Sequence, residues 1–325
     1  MSKVAILVNP NAARNARRAD LQKHLEERFG TKVEFILTKD LDALAAEVGR
    51  IHERSLDLLA IYGGDGSFRH FYETWFNTLG EDAVPPPVLP VAGGSQNYMA
   101  RDTGTYLGRS GTKKLNARLG TGEFGEHLYT WHQRNILRVE DPQAAATQYA
   151  FVYTDGLFWR VGKRYYEMGA TQWAAAKALF GTLAAGFASN PESFGGVMAP
   201  DPSEVVLDDD ARFGGHLAML LSTLNTLLLN LRLFPEPDVT GEGFHLFALS
   251  REQLRQNIVR FLQIGWKGGQ GHHWHEPGIR TGVHNQVEVK GTPGYALEGE
   301  IITPAGGPTD LTITLGPKVR LARMV

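Results

Sequence analysis

One stretch constrains the fold of this chain more than any other: Leu58-Leu59-Ala60-Ile61-Tyr62-Gly63-Gly64-Asp65-Gly66-Ser67. The apolar run from Leu58 to Tyr62 has the length of a buried strand, and Gly63, Gly64 and Gly66 around one acid make a turn from which side chains are kept out. Phe68, Phe71, Tyr72, Trp75 and Phe76 then recur at helical spacing. Residues 63–67 therefore stand where a strand ends and a helix begins. Backbone N–H groups at such a junction favour bound phosphate, and the carboxyl ends of strands are where α/β sheets place ligands. An acid inside a phosphate loop needs a reason. The carboxylate of Asp65 repels phosphate unless Mg2+ lies between them, or unless it takes a proton from an attacking hydroxyl. The competing reading is a tight turn whose Asp caps the helix.

The rest of the first part alternates strand and helix. Residues 4–8 and 33–37 read as strands, and residues 16–29 and 41–52 as helices, which implies a parallel, doubly wound sheet. Asn9, Pro10 and Asn11 follow the first strand and Thr38 the second, so they line the same sheet edge as residues 63–67. A fourth loop, Ala92-Gly93-Gly94-Ser95-Gln96-Asn97, follows the strand at 85–91 and leads into a helix from Tyr98. Gly94 and Ser95 again suit close phosphate approach, while Asn9 and Asn97 also fit plain turn positions.

From about Ile136 the texture changes to β-type segments at 149–153, 216–221, 244–249, 257–264, 283–289, 299–302 and 311–315. A mainly antiparallel β domain is expected there, with an apolar helix at 168–187 interrupted by Gly181 and Gly186. With 325 residues, 42% of them hydrophobic, the chain can fill two cores. The expected division is 1–133 and 134–304, with the tail 305–325 a candidate addition to the first domain.

Composition removes several function classes. A net charge of −2 without a polybasic run argues against general nucleic-acid binding. Absence of cysteine excludes disulfides and thiolate metal sites and favours a cytoplasmic protein. The first apolar run meets Asn9-Pro10 too early for a signal peptide and reads as the first strand. No run reaches the roughly 18 uninterrupted apolar residues of a membrane span. Residues 218–234 come nearest, with Ser222, Thr223, Asn225, Thr226, Asn230 and Arg232 inside, so membrane contact would be peripheral. His272-His273-Trp274-His275-Glu276 offers metal-binding side chains but lies between Gly268-Gly269-Gln270-Gly271 and Pro277-Gly278, outside any helix that would space ligands, and reads as a polar loop. The apolar runs 173–187 and 218–233 read as core, with an acyl-chain channel or membrane-facing lid as the alternative.

Taken together, Asn9-Pro10, Thr38, Gly63-Gly64-Asp65-Gly66-Ser67 and Gly94-Ser95-Gln96-Asn97 resemble, in order and spacing, the catalytic domain of the diacylglycerol and sphingosine lipid kinases. Late in the chain Leu297-Glu298-Gly299-Glu300 is similar to the acid-glycine-glutamate segment of that family's β domain. The resemblance implies an α/β Rossmann-like nucleotide-binding domain followed by a mainly antiparallel β-sandwich, with ATP and Mg2+ as cofactors and a lipid alcohol entering from the sandwich side. The family often has an aspartate after the asparagine of the fourth loop, as part of a water-mediated Mg2+ network; here Tyr98 stands in that place. Arg134-Asn135 stands where another network aspartate is expected. Sphingosine-type kinases also lack the acid after the asparagine, so Tyr98 shifts the expected acceptor slightly from diacylglycerol toward a sphingoid or ceramide-like alcohol.

On this resemblance Gly63, Gly64, Gly66 and Gly94 bring backbone donors to the phosphates, Ser67 and Ser95 add hydroxyls, and Asn9, Pro10, Asn11, Thr38 and Asn97 hold the nucleotide. Asp65 contacts Mg2+ or the acceptor hydroxyl. Glu298 stands where the family has its proposed base. Read as positions i and i+2 of one strand, Glu298 and Glu300 share a face, and crowding of their carboxylates would raise one pKa. The competing readings are a kinase of a soluble alcohol or nucleotide cofactor, since the NAD kinases share the Gly-Gly-Asp-Gly signature, and a nucleotide-binding regulatory module without catalysis.

Overall fold

The computed structural model describes residues 3–12, 15–16, 19–94, 97–105, 109–169, 196–225, 234, 242–256 and 279–325. The chain forms two compact units, one made of Met1–Asn135, Thr226–Asn230 and Pro317–Val325, the other of Ile136–Asn225 and Leu231–Gly316.

The first unit opens with β1 (Val4–Val8), α1 (Leu21–Phe29), β2 (Glu34–Leu37), α2 (Leu41–Arg54), β3 (Leu58–Gly63), α3 (Asp65–Leu79), β4 (Val88–Ala92), α4 (Tyr98–Asp102) and α5 (Arg109–Gly120). Strands pair in parallel in the order β2-β1-β3-β4, and residue Leu321, late in the chain, pairs in parallel with Val88 at the β4 edge. β1 and β3 are buried throughout, as unbroken apolar runs in a parallel sheet must be when helices cover both faces. Leu25 and Phe29 of α1 pack on Ile6, Tyr62 and Leu89 of the sheet, and the Phe29 and Tyr62 rings meet edge to face at 5.5 Å.

Two helix starts differ from the sequence reading. α1 begins at Leu21, not at residue 16, because the Asp20 side chain accepts the Lys23 N–H at 3.0 Å and so sets the first turn. α3 begins at Asp65, with Gly64 as its N-cap, so most of the glycine-acid motif forms the first helical turn instead of a loop before it.

The second unit contains β5 (Tyr129–Glu140) from Ile136 onward, then β6 (Gln148–Ala150), β7 (Val152–Gly156), α6 (Leu157–Glu167), β8 (Glu204–Leu207), β9 (Arg212–Gly214), β10 (Ala218–Ser222), β11 (Phe244–Leu249), β12 (Ile279–His284), β13 (Gln286–Thr292), β14 (Tyr295–Leu297), β15 (Glu300–Ile302) and the first part of β16 (Thr309–Met324). One sheet is antiparallel in the order β12-β11-β10-β7-β14-β15; the other pairs β16 with β13 and β13 with β8, also antiparallel. Tyr153, Met219, Leu246 and Tyr295 from the first sheet share one core with Val205, Val287 and Ile313 from the second. The expected antiparallel β domain is therefore present.

Within it, two expected segments divide differently. Residues 149–153 split into β6 and β7 at Phe151, and residues 283–289 split into β12 and β13 at Asn285, whose N–H goes to Asp208 Oδ2 at 2.7 Å. Helix α6 was not anticipated, although Leu157, Trp159, Val161 and Tyr165 carry apolar character into it. The segments 257–264, 170–187 and 226–233 and the His272–Glu276 cluster lie outside the described residues. Among the described residues no helix is long and apolar enough to cross a membrane.

Candidate active site

Three loops at the carboxyl edge of the first sheet are stitched by side chains. Asn9, directly after β1, donates from Nδ2 to Ser67 Oγ at 3.1 Å and accepts the Asn11 N–H on Oδ1 at 2.9 Å. Asn11 Nδ2 donates to the Lys39 carbonyl at 2.6 Å, and the Thr38 N–H reaches the Val8 carbonyl at 3.1 Å. Pro10, half-buried, sits within this turn, where it lacks an N–H to satisfy. Asn9, Asn11, Thr38, Ser67 and His70 line a cavity of about 120 Å3 whose floor includes Leu7 and Ile61. The sequence reading missed His70; its placement one helical turn after the glycine motif was the available signal.

Gly63 and Gly94 let the third and fourth loops touch each other. A Cβ on Gly94 would stand 2.5 Å from Gly64 Cα, one on Gly93 would stand 3.1 Å from the Gly63 backbone, and one on Gly63 would collide with the Ser67 hydroxyl. The Gly93 N–H donates to the Gly63 carbonyl at 3.0 Å. These close approaches give the glycines a packing reason beside the expected one of admitting phosphate. Gly64 differs: a Cβ there meets only Gly94 Cα, at an ordinary 3.5 Å. Gly66 lies in the first turn of α3. Asn97, at φ +54°, accepts the Gly94 N–H on Oδ1 and donates from Nδ2 to the Gly94 carbonyl, both at 2.9 Å. Its amide thus clasps the fourth loop. Ser95, between them, lies outside the described residues.

Asp65 is buried, not exposed on a loop surface, and only 7% of it meets solvent. Its Oδ1 accepts the Met99 N–H at 3.2 Å, and the backbone N–H groups of Asn97 and Tyr98 also favour its charged form. Asn97, the N-cap of α4, makes no side-chain cap bond, so Asp65 caps this helix from a different element. Burial outweighs these amides and pushes the Asp65 carboxyl up to about 6. At the other end of α4, Asp102 accepts a bond from Arg134 Nε at 3.2 Å, with both side chains buried.

In the second unit the strand reading of Glu298 and Glu300 is corrected. Leu297 pairs with Glu300 across a two-residue turn, in which Glu298 and Gly299 have φ of +51° and +78°. Such a turn matches the twist of a hairpin, and Gly299 was its signal. The two acids therefore do not occupy alternate positions of one strand. The Glu298 carboxylate accepts the Phe151 N–H at 2.6 Å and the Val152 N–H at 3.3 Å, and this grip explains the break between β6 and β7. Glu300 begins β15 and is half-buried. Its charge adds to burial in raising the Tyr166 phenol.

The donor set fits a nucleotide better than a metal held by the protein. The first-unit loops offer backbone N–H groups at the start of α3 and a polar-rimmed cavity, both suited to a phosphorylated ligand. For Mg2+, Asp65 is the carboxylate in place, and it is turned toward amides. Among the described residues no group of three or more His, Asp or Glu side chains is placed to hold a metal ion.

Among curated proteins none matches this sequence. By fold the chain is similar to a diacylglycerol kinase of Bacillus anthracis, at 12% identity, with a TM-score of 0.59, 98% of this chain and 96% of that one being covered. A second structure from the same organism, described as a putative diacylglycerol kinase, gives a TM-score of 0.62 at 12% identity over the same shares. The family model for the diacylglycerol kinase catalytic domain matches residues 3–120, which include the four loops described above. Residues 3–120 are thus similar to the diacylglycerol kinase catalytic domain, the family that the four loops resemble.

Proposed function

We propose that this protein is a kinase that transfers the γ-phosphoryl group of ATP to the hydroxyl of a lipid alcohol. The observation that carries the reading is Asp65: a carboxylate desolvated to a pKa of about 6, at the first turn of a helix, between two glycine loops of a family of kinases. Phosphoryl transfer asks a protein for positioning and charge neutralisation more than for covalent chemistry. A base whose pKa lies near working pH takes a proton from an alcohol most effectively.

ATP, when bound, supplies the phosphoryl group, with Mg2+ on its phosphates. The chain's own residues then divide the remaining tasks. The backbone of Gly64, Gly66 and Gly94 and the hydroxyls of Ser67 and Ser95 meet the phosphates; Asn9, Pro10, Asn11, Thr38 and Asn97 shape the nucleotide site; Asp65 receives the acceptor's proton. Glu298 and Glu300 contribute through the β domain. Both carboxylates accept backbone amides, Asp65 from the start of α4 and Glu298 from Phe151 and Val152; Asp65 is the better base because burial has brought its pKa near working pH. The exposed Phe158 and Tyr166 on α6 support peripheral contact with a lipid surface, since aromatic rings favour that interface.

The test is ATP turnover by the purified chain across diacylglycerol, sphingosine, ceramide and soluble alcohols. Turnover dependent on a lipid alcohol supports the reading. Turnover with soluble alcohols alone, or none with any acceptor, sinks it.

A further inference from the structure

Helix α4 is held at both ends by acids. It spans five residues, too few to be stable alone. Its first amides go to Asp65, on α3. Its last residue, Asp102, places a negative side chain at the helix C-terminus, where the dipole disfavours one. Arg134 reverses that cost: Nε donates to Asp102 Oδ2 at 3.2 Å and Nη1 to the Gln133 carbonyl at 3.1 Å, with the Arg134 and Asp102 side chains 5% and 1% exposed. Thr105 Oγ1 adds bonds to the Ala100 and Pro90 carbonyls at 3.2 and 2.8 Å, tying α4 to the sheet. A buried ion pair adds little net stability compared with apolar residues of the same size, and its use lies in fixing position. What this pair fixes is the helix whose amides orient Asp65.

We infer that Arg134 is a positioning residue for Asp65, a permanent cation that acts through α4 from the end of the helix opposite Asp65, and that the divalent ion of the reaction is carried by the nucleotide alone. This rests on the kinase reading. A guanidinium cannot give up its proton in a protein, so its charge never depends on a metal being loaded. The carboxylates that a bound metal would draw on are committed: Asp65 to the α4 amides, Asp102 to Arg134. Mg2+ commonly binds through one or two carboxylates together with substrate phosphates, and here the phosphates carry most of that set.

The experiment compares the parent, Arg134→Lys and the double variant Arg134→Met/Asp102→Leu, which removes both charges while filling the space. In the double variant the melting temperature and the KM for the magnesium–nucleotide complex should stay near parental while kcat falls by about 10²-fold, the scale of an ångström-sized misplacement. Arg134→Lys should recover part of it. With the complex held constant, parental turnover should be flat as free Mg2+ is raised to large excess, and the nucleotide-free parent should bind no Mn2+ in an EPR titration. Parental kcat in the double variant, activation by free Mg2+, or stoichiometric Mn2+ binding would each overturn the inference. A parent inactive toward every acceptor would count against the kinase reading instead, and the Mn2+ titration would still test this one.

Discussion

The Asp65 carboxylate accepts the backbone N–H of Met99, thirty-four residues later, at 3.2 Å. A single residue therefore begins one helix and caps another, and the proposed base and the local fold share one charged group. Predictions about either must treat both.

Replacing Asp65 with Asn should lower turnover by about two to four orders of magnitude, the usual worth of a positioned base. The parent's kcat should show an acidic limb near pH 6, where burial has moved this carboxyl from 3.8. Loss of the limb together with activity supports the assignment; parental activity in Asp65→Asn refutes it.

The same shift predicts an opposite effect on stability. A carboxyl whose folded pKa lies above its unfolded value binds more protons when folded, so its contribution declines as pH rises from about 4 to about 6. From 3.8 to about 6 the cost of the charged form is about 3 kcal/mol. Asn carries no charge and caps a helix about as well as Asp. Asp65→Asn should therefore melt above the parent at pH 7, with the difference shrinking toward pH 4. Thermal melts across that range decide it, and an Asn variant that melts lower at every pH contradicts the burial argument.

The glycines should separate by position. Gly94→Ala drives a Cβ to 2.5 Å from Gly64 Cα and should cost about 1–3 kcal/mol of stability. Gly64→Ala finds only ordinary contact, and Gly64→Val should weaken ATP binding more than it lowers the melting temperature. Isothermal titration beside thermal melts reads both; equal ATP affinity in Gly64→Val and the parent would move the phosphate site elsewhere.

Glu298→Gln keeps the shape and loses the charge that strengthens the bonds to Phe151 and Val152. It should cost about 1.5–3 kcal/mol, the range for hydrogen bonds to charged groups, while turnover stays within about tenfold of the parent. Glu300→Gln should change less. A fall of two or more orders in Glu298→Gln, at unchanged stability, would assign the base to Glu298 instead of Asp65.

In the second unit His216 Nε2 lies 3.0 Å from Asp155 Oδ1, both buried. Burial alone would lower the imidazole pKa, but the Asp155 charge and hydrogen bond, with Asp201 adding, raise it overall. Arg160 opposes this from α6, and the Tyr153 hydroxyl donates to the other Asp155 oxygen at 3.1 Å. A raised folded pKa means the stabilisation is full below pH 6.5 and fades as pH rises through the folded value. Chemical denaturation should show the parent losing stability on that alkaline side, and His216→Gln should flatten the slope. An unchanged slope would place the titration elsewhere.

The sequence made the first sheet legible because buried parallel strands are unbroken apolar runs, and Gly63 to Ser67 announces its own turn. It could not show that Asp65 is buried, since the amides that surround it arrive with Met99 and its neighbours at the start of a later helix. Glu298 was misread because alternation of residue types looks the same through a two-residue turn as along a strand. The break at Phe151 carries no glycine or proline; its cause is a carboxylate 147 positions away. Helix α1 was read too long, although Asp20 was present to mark its start.

Strand β16 serves both units: Leu311 and Ile313 join the core of the second, Leu321 and Ala322 that of the first. The sheet that carries the proposed base thus takes its strand beside β4 from residues made after the whole β unit. During synthesis from the N-terminus, the nascent first unit waits with the edge at Val88 unfilled until that strand arrives. Late closure of this kind makes the sheet a product of long-range contacts, which fold slowly and leave strand edges open to other chains meanwhile.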